Sequence, residues 1–198
     1  NRLSNERVGV FLGNSMGGES SDDHTIRTRI PEIIQHMIEG STFTDLSAEE
    51  QSALLQDIER SKDRLPIINE DTMPGELANV VAGRIANAFD FNGPNYTVDA
   101  ACASSMAAIQ ASVKGLHDGE FDMAITGGAD RSMGVPTYVK FSKIGALSPN
   151  ISAPFDERAN GFVMGEGCAI LVLKRLSDAE RDGDRIYATI RGIGASSD

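Results

Sequence analysis

The sequence predicts an α/β fold, and three stretches carry the prediction. Residues 95–128 read as strand, helix, strand. Asn95-Tyr96-Thr97-Val98 leads residues 95–101 with β-branched and aromatic side chains, 103–116 is a run of small helix formers, and Met123-Ala124-Ile125-Thr126-Gly127-Gly128 is a short apolar strand. Such a βαβ unit is expected to cross over right-handed. Upstream, Val8-Gly9-Val10-Phe11-Leu12-Gly13 reads as a buried strand closed by glycine. Downstream, Cys168-Ala169-Ile170-Leu171-Val172-Leu173 gives another strand and residues 177–183 a short helix stopped by Gly183. Residues 185–192 then alternate like a strand with one wetter face.

The segments between these are read in the same way. Residues 13–18 form a tight turn, with neither the Lys-Ser/Thr of a phosphate loop nor dinucleotide-binding glycine spacing. Residues 20–65 are helical. One helix runs from Pro31 to Glu39, and another starts at the capping box Ser47-Ala48-Glu49-Glu50 and carries Leu54, Leu55 and Ile58 as an apolar stripe. Residues 75–89 make a more apolar helix behind Pro74, with Leu77, Val80, Val81, Ile85 and Phe89 on one broad face, and 90–94 a turn. Residues 131–154, rich in Ser, Gly and Pro, read as a loop.

A chain of 198 residues can bury a sizeable core without staples. Its two cysteines suit a reducing, cytoplasmic setting rather than a disulfide scaffold. No apolar run is long enough for a membrane span, and residues 1–7 carry no signal-peptide core. Eighteen basic against 29 acidic residues, a net charge of −11, oppose binding to nucleic acid or anionic lipid. The charge is uneven: residues 19–71 hold 13 acidic and 5 basic groups, so they read as a solvated helical insertion ahead of a core at 72–198.

Chemistry concentrates at Cys102. A thiol on the sharp turn between a buried strand and a helix is exposed and rigidly aimed, and such a turn admits only small neighbours: here Ala100, Ala101, Ala103, Ser104 and Ser105. Backbone N–H groups at the helix start favour thiolate and can stabilise an oxyanion. The competing reading is a small core residue, the ordinary fate of a free cysteine. Cys168, at the start of a strand, reads as packing, and so do Met16, Met73, Met106, Met123, Met133 and Met164. A thiolate wants a histidine partner. His117 lies 15 residues along the same helix, about 22 Å away at the helical rise, while His24 and His36 read as wet surface. No His/Cys spacing suits zinc and no Asp pattern suits calcium.

The run Gly93-Pro94-Asn95-Tyr96-Thr97-Val98-Asp99-Ala100-Ala101-Cys102-Ala103-Ser104-Ser105 resembles the active-site segment of β-ketoacyl synthases, the condensing enzymes of fatty-acid and polyketide synthesis. Ala82-Gly83-Arg84-Ile85-Ala86-Asn87, Ile125-Thr126-Gly127-Gly128-Ala129-Asp130, Phe141-Ser142-Lys143-Ile144-Gly145-Ala146-Leu147-Ser148 and the set Pro154-Phe155-Asp156, Arg158, Gly161-Phe162-Val163, Gly165-Glu166-Gly167 are similar to the family's motifs in the same order. The resemblance implies a thiolase-like fold, layered α/β with a mixed central sheet. It implies that Cys102 is the acyl-accepting nucleophile and a backbone oxyanion donor, and that Phe162 borders the acyl pocket. It further implies substrates carried on the phosphopantetheine of an acyl carrier protein, no tightly bound cofactor, and a homodimer with residues 95–101 near the two-fold axis. Tyr96 and Val98 are then interface or core residues, and Arg131, Lys140 and Lys143 are candidates to meet an acidic carrier.

The resemblance is weakest at residues 19–65. The family's two histidines and accompanying lysine match nothing here, so the chain reads as most of an N-terminal half whose C-terminal half is absent, and full condensation by this chain alone is not expected. The insertion and Ile68-Asn69-Glu70-Asp71-Thr72-Met73-Pro74 look more like large polyunsaturated-fatty-acid or iterative polyketide synthases than a small discrete enzyme. Two other readings stand beside this one. A non-catalytic dimerisation module like a chain-length factor is disfavoured by the presence of Cys102, and a cysteine thioester hydrolase or thiolase by Pro154-Phe155-Asp156 and Gly165-Glu166-Gly167.

Overall fold

The computed structural model describes residues 7–16 and 18–196. In chain order the elements are β1 (Val8–Gly13), α1 (Gly18–Glu39), α2 (Ser41–Thr44), α3 (Ala48–Lys62), α4 (Thr72–Glu76), α5 (Ala78–Ala88), β2 (Asn95–Val98), α6 (Ser104–Asp118), β3 (Met123–Asp130), α7 (Val135–Lys143), β4 (Gly167–Lys174) and α8 (Leu176–Asp182). They form two compact units, one of residues 7–16, 77–131 and 165–196, the other of 18–76 and 132–164. Residues 1–6, read above for a signal peptide, Gly17 of the predicted turn, and residues 197–198 lie outside the described residues.

The first unit is a mixed sheet in the order β2-β1-β3-β4. β1 pairs parallel with β2 and β3, and β4 runs antiparallel to β3, with Ile125 opposite Val172. The expected βαβ unit therefore skips a strand, because the apolar β1 takes the central place between β2 and β3. Alternation along β1 sends its residues to two cores. Phe11 packs with Ala108, Leu116, Phe121 and Ala124 under α6, while Val10 and Leu12 pack with Ala82 and Ala86 of α5. The Phe11 ring meets Tyr96 edge-on at 4.8 Å and Phe121 at 5.1 Å.

The second unit is mostly helical. Ser47 and Glu50 form the predicted capping box at the start of α3. Arg27 of α1 donates to the carbonyls of Lys62 and Leu65 at 2.8 and 3.0 Å, supplying cationic partners to the end of α3. His24 contacts Glu76 of α4 at 2.6 Å.

Several elements depart from the sequence reading. Pro31 does not open a helix: it lies inside α1, which stays continuous around the buried Ile30. Residues 75–89 divide into α4 and α5, and α5 buries the small Ala82 and Ala86, leaving Leu77, Val81 and Phe89 exposed. A close helix–sheet approach selects small residues over the larger apolar ones. The loop expected at 131–154 contains α7, whose start uses Gly134 and Pro136, the same residues that suggested a loop. Residues 95–101 are strand only to Val98. Residues 185–192 make no ladder: alternation reports two unlike faces, but a strand also needs a partner. His24 is buried rather than wet. Cys168, Met16, Met73 and Met106 are exposed rather than packed, Cys168 in a strand whose faces are open from Gly167 to Val172.

The amino end of β3 is tied by charge. Asp122 accepts from Arg7 Nε at 2.5 Å and from Arg175, whose guanidinium also donates to the carbonyls of Leu116 and Phe121 at 2.9 Å. The Arg7 hydrogen bond, aided by Arg175 and opposed by burial, lowers Asp122 from 3.8 to about 2. A depressed carboxylate stabilises the fold above its unfolded pKa and loses that contribution as pH falls through the folded one. Asp122→Asn is therefore expected to lower the unfolding midpoint at pH 7. The gap from the wild type, followed by circular dichroism, should narrow below about pH 4 and close near pH 2.

Candidate functional site

The parallel strands β1 and β2 end level at Gly13 and Val98, β3 runs on past Gly128 to Asp130, and Asn14 ties these ends. Its N–H donates to Val98 O at 3.1 Å and its Nδ2 to Ala129 O at 2.8 Å. The first turn of α6 lies on this platform. A Cβ on Gly13 would stand 2.3 Å from Ser104 C and Ser105 N, and one on Gly128 would stand 2.8 Å from Ser105 Cβ. Glycine at both positions lets the helix start touch the sheet.

Between β2 and α6 the chain turns sharply through 99–103. Ala101 has a φ of 49°, a left-handed conformation that disfavours an L-residue by roughly 1–2 kcal/mol. Cys102 follows directly, free and exposed. Ala103 caps α6 without a side-chain hydrogen bond; the Ser104 N–H donates back to Ala101 O at 3.1 Å, so the helix start is closed by backbone alone. Cys102 thus lies just ahead of the α6 N-terminus, the positive end of the helix dipole.

The other predicted residues belong to other parts of the chain. His117 stands near the opposite end of α6, 89% exposed and 3.7 Å from Asp118, so it cannot serve Cys102. Phe162 belongs to the second unit, 38% exposed, where its ring meets Phe141 of α7 edge-on at 5.4 Å. Its N–H donates to Ala146 O at 3.0 Å and its carbonyl accepts from Ser148 at 2.9 Å. Nearby, Arg158 donates to both carboxylate oxygens of Asp156 and holds that carboxyl below its ordinary range. Lys140 and Lys143 are exposed on α7.

Sequence reasoning did not single out Asn14, Gly13, Gly128 or the hydroxyl of Ser104. Small and polar residues beside strand ends were the available signal, but only the packing of α6 gives it meaning. Among the described residues no group of three or more His, Cys, Asp or Glu is placed to hold a metal, and no helix is long and apolar enough to cross a membrane.

Residues 1–179 match the family "Beta-ketoacyl synthase, N-terminal domain". Over 99% of its length the chain is 38% identical to one of the polyunsaturated fatty acid synthase polypeptides of Thraustochytrium sp., of which it covers 7%. Over 66% of its length it is 41% identical to probable polyketide synthase 1 of Dictyostelium discoideum, of which it covers 4%. The chain thus spans less than a tenth of the length of these relatives. A ketosynthase from module 6 of the bacillaene synthase of Bacillus subtilis 168 superposes with a TM-score of 0.61 at 28% identity, covering 98% of this chain and 28% of that one. The mixed sheet with its helices is an N-terminal portion of that thiolase-like fold, and the chain belongs to the β-ketoacyl synthase family.

Proposed function

We propose that this chain carries the acyl-accepting site of a ketosynthase in fatty-acid or polyketide synthesis, with Cys102 as nucleophile. The observation that carries the reading is an exposed thiol on a strained turn at the uncapped start of α6, inside the segment most similar to the family's active site. The Cys102 thiolate attacks the carbonyl carbon of an acyl thioester on a carrier protein's phosphopantetheine. A new S–C bond forms, the oxyanion is held by backbone amides including that of Cys102, and the phosphopantetheine thiolate leaves with the proton that Cys102 gave up. In the condensing step a malonyl-type extender loses CO₂, and the resulting carbanion forms a C–C bond to the acyl carbon. The Cys102–acyl bond breaks and the thiolate returns. None of the described residues is assigned to decarboxylation.

In this reading substrates arrive on the carrier and no tightly held cofactor is required. Residues 72–198 are the nucleophile-bearing core and 19–71 an acidic helical insertion. Two free thiols suit the cytoplasm. The edge position of β2, with Asn95 and Tyr96 exposed, supports pairing with a second copy near the nucleophile. Exposed Lys140 and Lys143 offer opposite charge to an acidic carrier. Phe162 borders the acyl pocket.

Incubation with an acyl carrier thioester, followed by peptide mapping, should place one acyl group on Cys102, and Cys102→Ala should abolish it; acylation persisting in that variant would refute the assignment. For Phe162, Phe162→Ala should shift acylation toward bulkier acyl chains by about tenfold in relative rate, the scale of a one-group change in an apolar pocket. An unchanged chain-length profile would remove Phe162 from the pocket.

A further inference from the structure

The turn that presents Cys102 is held by two side chains that take no part in the chemistry above. Ser104 is 5% exposed. Its Oγ donates to Ala101 O at 2.6 Å and accepts the Ala100 N–H at 2.9 Å. From the other side, Asp99 Oδ1 accepts the Ala101 N–H at 2.9 Å. Both backbone polar groups of Ala101 are thereby tied to side chains within three residues. Ala101 is also the residue held at a φ of 49°. Backbone bonds also close the turn, from the Ala103 N–H to Ala100 O at 3.0 Å and from the Ser104 N–H to Ala101 O at 3.1 Å, but loss of the side-chain ties lets alanine relax toward negative φ, and because Cys102 is next in the chain its Cα–Cβ bond turns with that relaxation.

We infer that Ser104, with Asp99, is a positioning residue for the Cys102 thiol: its hydroxyl fixes the left-handed Ala101 and so sets the direction of Sγ relative to the amides of α6. The inference rests on Cys102 being the acyl acceptor. Neither Ser104 nor Asp99 touches the acyl group; both act through the backbone.

The test compares wild type, Ser104→Ala, Ser104→Thr and Asp99→Ala in the full-length chain. It follows acyl transfer from an N-acetylcysteamine thioester and, separately, iodoacetamide alkylation of each cysteine. Misaiming a reacting atom by about 1 Å lowers rates on the order of a hundredfold, so Ser104→Ala should lose at least tenfold in the maximal rate of acyl transfer with half-saturation unchanged. Alkylation of Cys168 should stay at the wild-type rate. Ser104→Thr, which keeps the hydroxyl, should recover most of the loss, and the exposed Asp99→Ala should show a smaller loss in the same direction. If Ser104→Ala does not fold, Asp99→Ala alone decides. Acyl transfer within twofold of wild type in the folded variants, or equal loss in Ser104→Thr and Ser104→Ala, overturns the inference. Absence of acyl transfer to Cys102 in the wild type is a different result, and it overturns the nucleophile assignment instead.

Discussion

The first turn of α6 can rest on the ends of β1 and β3 because Gly13 and Gly128 carry no Cβ. Every feature of the candidate site depends on that approach. It fixes where the helix begins, and therefore where its uncapped amides point. The turn from β2 to α6 then passes through the left-handed Ala101, which Ser104 and Asp99 hold. It leaves Cys102 exposed between strand and helix. A methyl group at either glycine would have to push the helix start outward, because the atoms met are backbone and Cβ rather than the ends of flexible side chains.

The rest of the first unit keeps this platform still. β1 occupies the centre of the sheet and feeds both cores, Phe11 on the α6 side and Val10 with Leu12 on the α5 side. At the amino end of β3, Asp122 binds Arg7 and Arg175, and Arg175 in turn collects carbonyls from the end of α6 and the following loop. The helix is therefore anchored at both ends, by sterics beside Cys102 and by charge-assisted hydrogen bonds at the far end. The apolar strand β4 and the exposed Val81 of α5 with its cap residues Leu77 and Phe89 leave wide apolar surface on this unit.

The strand–turn–helix that carries Cys102 was legible in the sequence because its signal is local: a β-rich run, small residues, a cysteine and a helix of small side chains. So were β1, α3 with its capping box, β4 and the Gly183 stop, each written within one element. Long-range facts were not. The insertion of β1 between β2 and β3 depends on pairing between distant segments, which periodicity does not encode. Pro31, Gly134 and Pro136 misled because proline and glycine serve at helix starts, in loops and, under tertiary support, inside helices. The alternation at 185–192 describes two faces without a neighbour to pair with. The roles of Gly13, Gly128 and Ser104 exist only once α6 is seated on the sheet.

Cys102 and Cys168 are both free and exposed in the same unit, and composition cannot separate them. Only the elbow does. The most direct measurement is the pair of second-order rate constants for iodoacetamide at the two thiols of the folded chain at neutral pH, read by peptide mass spectrometry. A thiol aimed from a helix N-terminus should react about tenfold or more faster, so Cys102 should be labelled well ahead of Cys168. Equal rates, or faster labelling of Cys168, would contradict the claim that this fold prepares Cys102 as a nucleophile.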